Sequence, residues 1–358
     1  MARKRHEEAP DANPSEPRLV DPTQERPQQE AQLRPRTFDE YVGQRKVVDN
    51  LKIFVEAAAR RGDALDHVLL SGPPGLGKTT LAYLISTQLG VGLRSVGAPA
   101  IEHKGTLASY LTSLEPRGVL FIDEIHRLQA VIEEYLYPAM EDFRLEIPIG
   151  DGPSAEMLAL TLPRFSLVGA TTRTGLLSGP FLSRFGIVLR LDYYNAEDLT
   201  EIVRRSADRL SIPLQVDAAA EIGRRARGTP RIANHLLRRV RDFAEVESDG
   251  RVTHALAQQS LARLGVDALG LDELDRTVLR GIIQRFDGGP VGVEALAASC
   301  GEERDTLEEV VEPYLIQEGF LLRTPRGRVA AKRAYQHLGL ALPSSIAQEA
   351  LPLGDPET

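Results

Sequence analysis

Four short apolar runs divide the first half of the chain: HVLL at 67–70, GVLFID at 118–123, FSLVGAT at 165–171 and IVLRL at 187–191. Between them apolar residues return at helical spacing, as in Leu81, Leu84, Ile85 and Leu89, a run that Gly90 stops. Strands alternating with helices from about Leu33 to Asp192 predict an α/β domain, a mainly parallel sheet with helices on both faces. After Asp192 the strand signal ends. Asn195, Asp217, Thr229 and Thr253 fall where helix N-caps belong, and Gly228 and Gly265 where helices end, so a small all-helical domain follows. Residues 272–286, 293–299 and 305–318 then read as three helices, and FLLR, TPRG and RVA as a strand, a turn and a strand. Three helices and a hairpin make the winged form of helix-turn-helix. The expected boundaries are 1–30 for a tail, 31–192 for the α/β domain, 193–266 for the helical domain, 267–340 for the winged helix and 341–358 for a loose end. The first tail holds five prolines and no aromatic residue, a composition that favours disorder.

Composition changes this picture little. At 358 residues, 42% hydrophobic and 26% charged, the chain has the make-up of a globular protein with several cores. A single cysteine, Cys300, excludes an internal disulfide framework and suits a reducing cytoplasm, the expected location. No apolar run approaches the roughly 18 residues that would span a bilayer, and no membrane association is expected. The net charge of −8 argues weakly against nucleic acid, but one basic face is enough to bind phosphates, so local patches decide.

The first candidate chemistry lies between strand and helix, in SGPPGLGKTT at 71–80. Gly72, Gly75 and Gly77 let consecutive N–H groups turn inward at the positive end of the following helix, where a phosphate chain can lie. Lys78 is placed to reach the β- and γ-phosphates of ATP, and the Thr79 hydroxyl to hold Mg²⁺. About 45 residues on, GVLFID ends in Asp123 and Glu124. There Asp123 can coordinate Mg²⁺ through water, and Glu124 can orient and deprotonate the attacking water. FSLVGATTR is another buried strand, ending in two threonines; Thr172 or Thr171 is positioned to sense the γ-phosphate. Two arginines complete the set. Arg184 falls between a short helix and the last strand, and Arg231 projects from the first turn of a helix whose N-cap is Thr229. A cation there opposes the helix dipole, and a triphosphate would compensate it.

In order, LRPRTFDEYVGQ, GPPGLGKT, LFIDEIHRL, GATTR, LSRFGIVLRL, GTPRIANHLLRRVRDFA and GFLLRTPRGR resemble the RuvB family, the bacterial Holliday-junction branch-migration motors of the AAA+ class. The resemblance covers about residues 33–340. It implies an AAA+ P-loop sheet with a helical lid and a C-terminal winged-helix domain, working as an ATPase coupled to DNA translocation. It implies further that Leu33, Arg34 and Tyr41 border the adenine, that Gly75, Gly77, Lys78, Thr79 and Thr80 hold the nucleotide, and that Tyr194 contacts it from the lid. Thr172 would be the first sensor and Arg231 the second. Arg184 would be the arginine finger inserted into a neighbouring subunit's site, so activity would require a homohexamer. RuvA and RuvC are the partners that the family implies.

The same resemblance gives a role to RLEIPIGDGPSAEMLALTLPRF. Leu145, Ile147 and Ile149 alternate with polar residues, as do Leu158, Leu160 and Leu162, with DGPS as the turn signal. Half such a hairpin's apolar surface is available to pack on its own domain, and in the family the hairpin docks on RuvA.

The winged domain departs from most helix-turn-helix readers, whose third helix enters the major groove with basic or polar residues. Here that helix and its approach carry Glu302, Glu303, Asp305, Glu308, Glu309, Glu312 and Glu318 against Arg304 alone, so it is expected to face away from DNA. Arg323, Arg326, Arg328, Lys332 and Arg333 lie together around the hairpin without an acid among them. Arg323, Arg326 and Arg328 are the expected phosphate contacts, which hold DNA without reading its sequence. A second basic run, Arg224 to Arg241, is assigned mainly to the lid and a subunit interface. The alternative function is an ATP-controlled DNA-loading switch, of the clamp-loader or initiator kind. A protease is disfavoured because HExxH does not occur.

Overall fold

The computed structural model describes residues 32–149 and 156–343. The expected tail at 1–30, the DGPS turn and the end beyond residue 343 lie outside the described residues.

A helix, α1 (Arg45–Arg61), precedes the first strand, β1 (Val68–Ser71), and α2 (Lys78–Leu89) follows it. The sheet continues with β2 (Leu93–Gly97), β3 (Val119–Asp123), β6 (Ser166–Thr171) and β7 (Ile187–Arg190), with α3 (Lys104–Thr112), α4 (Ala130–Glu141) and the short α5 (Gly179–Leu182) among the connections. All pairings are parallel, and the order is β2-β3-β6-β1-β7. Alternate residues serve opposite faces. Val68 and Leu70 of β1, Val119 and Phe121 of β3 and Val168 and Ala170 of β6 enter one core, while Leu69, Leu120 and Leu167 enter the other. Both faces are covered, which explains why these strands read as continuous apolar runs.

One strand, β2, gives no signal in the sequence. It is an edge strand whose only buried side chain is Val96, so it lacks an apolar run to read. Strands β4 (Arg144–Ile149) and β5 (Glu156–Thr161) form a separate antiparallel hairpin that pairs Leu145 with Leu160 and Ile147 with Leu158. At its base Leu145 and Leu162 are buried in the second core, and Tyr135 donates to the Glu146 carbonyl at 2.6 Å.

The helical domain consists of α6 (Ala196–Arg209), α7 (Val216–Arg224), α8 (Pro230–Glu247) and α9 (His254–Arg263), and its apolar side chains continue the first core. Asn195 and Thr253 cap α6 and α9 through their side chains. Asp217 does not cap: Gln215 holds the N-cap position of α7, and Asp217 sits in the first turn, where its charge still favours the helix. Thr229 occupies the N-cap position of α8, but its hydroxyl donates back to the Ala226 carbonyl at 3.3 Å.

The last domain has its own core, built on Leu279, Leu296, Leu315 and Phe320. Helices α10 (Glu273–Arg285) and α11 (Val293–Cys300) lead to a third helical segment running Arg304–Thr306, Leu307–Val311 and Glu312–Gln317, with a π turn in the middle. The wing is β8 (Leu321–Thr324) and β9 (Gly327–Ala330), followed by a helix, α12 (Lys332–Leu338), that the sequence pattern does not give.

Part of the charge on the acidic third helix turns inward, while Glu303 and Asp305 stay exposed. Glu312 and Glu308 pair with Arg328 at 2.6 and 2.9 Å, and Glu309 reaches across to the α/β domain to pair with Arg173 at 2.6 Å. The lid and winged domain are joined by a buried cation. Arg227, 3% exposed, pairs with Asp275 at 2.9 Å and lies 4.5 Å from the Tyr314 ring centroid. Arg225, by contrast, works within the lid, pairing with Glu221 and donating to the Val266 carbonyl. Arg227 is therefore a joint within the chain, while Arg225 stays inside the lid to which the basic run is assigned.

Candidate active site

The loop from Gly72 to Gly77 carries the chain from β1 into α2, with Lys78 as the first helical residue. Gly77 has φ +98°, and a Cβ there would lie 2.6 Å from the Tyr41 hydroxyl, so only glycine lets the loop pass under that ring. Lys78 Nζ donates to the carbonyls of Gly72 and Pro73 at 2.7 and 2.8 Å. Burial pushes the Lys78 ammonium down to about 8, against the pull of the Glu124 and Asp123 carboxylates.

Because β6 lies between β1 and β3, its end stands between the phosphate loop and the Asp123–Glu124 pair. Gly169 makes this approach possible: a Cβ on it would lie 2.8 Å from Ile125 Cδ1, the side chain that anchors the turn after Glu124. Glu124 adopts a left-handed conformation, φ +50° and ψ +45°, uncommon for a residue with a side chain. Its carboxyl is pushed up first by burial and then by the neighbouring Asp123 charge, which makes it a stronger base than a free glutamate. The two threonines divide their roles. Thr172 donates to Glu124 Oε2 at 3.2 Å, and Thr171, fully buried, meets His126 Nδ1 at 3.0 Å.

One cavity collects most of the expected residues. Leu33, Arg34, Tyr41, Gly75, Gly77, Lys78, Thr79, Thr80, Asp123, Glu124, Tyr194 and Arg231 all line it. The Tyr194 hydroxyl lies 3.0 Å from that of Tyr41 and 3.2 Å from the Leu76 carbonyl, tying the lid to the loop. Thr79 and Asp123 both line the cavity, and both offer oxygen, the donor that Mg²⁺ takes.

The lid contributes more than its sequence pattern indicates. Arg205 and Arg209 from α6, and Asn234 and Arg238 from α8, also line the cavity. Arg209 donates to the carbonyls of Leu33 and Arg34 at 2.6 and 2.7 Å and pairs with Glu40 at 2.7 Å, clasping the segment before α1. Spacing could have found the α8 pair, since Arg231, Asn234 and Arg238 recur at helical intervals.

Two expected residues stand outside this cavity. Thr172 is behind Glu124. Arg184 is not among the lining residues; it pairs with Glu141 at 3.1 Å and lies 4.0 Å from the Tyr137 ring centroid.

On the wing, Arg323 and Arg326 are exposed, while Arg328 is 7% exposed and held by Glu312 and Glu308. This corrects the expectation for Arg328: a guanidinium saturated by two carboxylates in the interior does not serve as a phosphate contact. Arg333 is also engaged, with Glu318 at 3.2 Å and the Phe320 ring.

A parallel sheet of this order, with a phosphate loop, an acidic pair one strand removed and a lid arginine closing the cavity, defines a P-loop ATPase of the AAA+ class. The P-loop domain of Holliday junction DNA helicase RuvB matches residues 33–191, the RuvB AAA lid domain 194–267 and the RuvB C-terminal winged helix domain 268–339. The chain belongs to the RuvB family. It is 60% identical over 337 residues to the Holliday junction branch migration complex subunit RuvB of Myxococcus xanthus, covering 94% of this chain and 95% of that one. Among solved structures it resembles a mutant of Thermotoga maritima RuvB, with 48% identity over 87% of this chain and 99% of that chain and a TM-score of 0.81. The Thermotoga maritima RuvB Holliday junction branch migration motor matches with 48% identity over 87% and 100% of the two chains and a TM-score of 0.79. These matches do not favour the DNA-loading switch.

Lys78→Ala is expected to lose nucleotide affinity without unfolding the domain, because the side chain's hydrogen bonds go only to the loop itself. Titration with a fluorescent ATP analogue checks this; unchanged affinity would contradict the assignment.

Proposed function

We propose that the protein is an ATP-driven motor that moves Holliday junctions along DNA, acting as a homohexameric ring with RuvA and, in a larger complex, RuvC. The observation that carries this reading is the division of the site: the expected nucleotide-binding residues line one cavity, Thr172 touches it through Glu124, and Arg184 lies outside it. An arginine finger that serves a neighbour is absent from its own site, and Arg184, held by Glu141 at 3.1 Å, is absent from this one.

In the reaction, Lys78 and the loop N–H groups hold the β- and γ-phosphates, and Arg231 closes over them from the lid. Water gives its proton to Glu124 as it attacks the γ-phosphorus, and the bond to the bridging oxygen breaks, leaving ADP and phosphate. Thr172 ties Glu124 to the strand that ends beside the phosphate. Mg²⁺, held by Thr79 and through water by Asp123, would neutralise charge on the phosphate oxygens. Arg184 of a neighbouring subunit supplies the cation that stabilises the transferred group. The hairpin 145–162 is the surface for RuvA, and the working compartment is the cytoplasm.

The DNA side of the proposal rests on Arg323 and Arg326, exposed on the hairpin. Replacing both with alanine is expected to weaken binding to all sequences about equally and to lower the salt slope by roughly one unit for each phosphate no longer neutralised. Basal ATP hydrolysis is expected to persist. Arg328→Ala has a different signature: it leaves buried Glu312 without its partner, while Glu308 keeps Arg304, and costs about 3–5 kcal/mol of stability in the winged domain. Binding isotherms at several salt concentrations, read with thermal melts, separate the two. A salt slope unchanged by loss of Arg323 and Arg326 would remove the wing from the DNA interface.

A further inference from the structure

We propose that His126 is a positioning residue for ATP hydrolysis, holding the Glu124 carboxylate in the orientation from which it takes the proton of water. The proposal rests on the reading of Glu124 as the base.

His126 follows Glu124 by two residues, in the turn that Ile125 pins to the sheet. Its side chain is 6% exposed, and its Nδ1 faces two oxygens, Thr171 Oγ1 at 3.0 Å and Glu124 Oε2 at 3.3 Å. Thr171 Oγ1 already accepts the Arg173 main-chain N–H at 3.0 Å. Ionised Glu124 can only accept, so the tautomer with the proton on Nδ1 is the one that turns a donor and not a lone pair toward its carboxylate. Thr172 donates to the same Oε2 at 3.2 Å. Thr172 therefore holds one carboxylate oxygen by a hydrogen bond, the His126 ring, itself bonded to Thr171, stands against the same oxygen, and Oε1 keeps its acceptor capacity for water.

The charge state suits this task. Burial first, then the positive charges of Arg173, Arg127 and Lys78, push the His126 imidazole below its ordinary value. A neutral ring standing 3.3 Å from the carboxylate confines it without forming the ion pair that would weaken it as a base. Backbone geometry gives the ring its purpose. Glu124 sits in a left-handed conformation, and contacts made by its neighbours must hold it there. Arg173 joins the arrangement to the rest of the chain: its N–H holds Thr171, and its guanidinium pairs with Glu309 of the winged domain.

The test is steady-state ATP hydrolysis by the full chain. His126→Ala is expected to lower kcat by about ten- to a hundred-fold with the KM for ATP unchanged, as misplacement of a catalytic group does. His126→Asn puts an amide N–H near the position of Nδ1 and is expected to recover most of the rate. In a Glu124→Gln background, loss of His126 is expected to leave the residual rate unchanged, since nothing remains for it to position. Equal rates for His126→Ala and wild type would overturn the proposal. So would equal losses in the alanine and asparagine variants with native melting temperatures, or a further fall in the Glu124→Gln background. If His126→Ala fails to fold, His126→Asn and its combination with Glu124→Gln carry the comparison. Failure of the base assignment is read separately, from near wild-type turnover by Glu124→Gln alone.

Discussion

Glu124→Gln is expected to bind ATP with near wild-type affinity and to lose turnover by about 10²–10⁴-fold, the usual contribution of a general base. The substitution removes one charge and little volume. The carbonyl oxygen of the new amide can still accept the hydrogen bond that Thr172 gives to Oε2 at 3.2 Å, and Asp123 keeps its place at the end of β3, so the cavity survives. What disappears is a carboxylate that burial and Asp123 together make more basic. Equilibrium binding and single-turnover hydrolysis separate the two effects. Turnover within a few-fold of wild type would show that another group takes the proton.

Arg184→Ala is expected to bind ATP normally and to lower kcat by about 10³–10⁵-fold, the range for an arginine finger acting in trans. The distinctive outcome is rescue. In mixed rings a Lys78→Ala subunit can donate its intact Arg184 to a neighbour whose own cavity is complete, so combining two inactive variants is expected to restore part of the activity. In this structure Arg184 is held by Glu141 and stacked on Tyr137, partners it must leave or rearrange to reach a neighbouring subunit. Glu141→Gln, which weakens that hold, is expected to have a far smaller effect than loss of Arg184. Assembled mixed rings without any rescue would place Arg184 in its own subunit's chemistry or packing.

Which parts of this site can be read from sequence follows from where each residue's partners lie. The phosphate loop and the acidic pair are legible because local constraints write them: glycines where the chain turns tightly, then charge at the end of an apolar strand. The same logic explains why β2 is illegible, since its edge position demands one buried residue, Val96, and so leaves no pattern. Arg328 misleads for the opposite reason. Its partners Glu308 and Glu312 lie on a helix 20 and 16 positions earlier, and a count of basic residues around the hairpin treats an arginine turned inward like one turned outward.

The acidic third helix shows the other side of that pairing. From sequence its charge reads as repulsion from DNA, whereas its larger effect is attraction within the chain, to Arg328 and to Arg173. Arg205 and Arg209 belong to the same class as Arg328. They meet the cavity only when the lid folds over it, and no local pattern of α6 records that Arg209 will clasp Leu33 and Arg34. The roles of Thr171 and Thr172, adjacent in sequence, become distinct once the strand order places one hydroxyl on His126 and the other on Glu124.

Hydrolysis at this site is expected to move a DNA junction, and a strand-displacement assay reads that movement. A labelled four-way junction is incubated with the protein, RuvA, Mg²⁺ and ATP, and its conversion to two forked duplexes is followed on a native gel alongside phosphate release. The expected result is continuous conversion that tracks phosphate release and stops with Glu124→Gln or with a nonhydrolysable ATP analogue. Sustained ATP hydrolysis on an assembled junction complex whose arms never move would contradict the account.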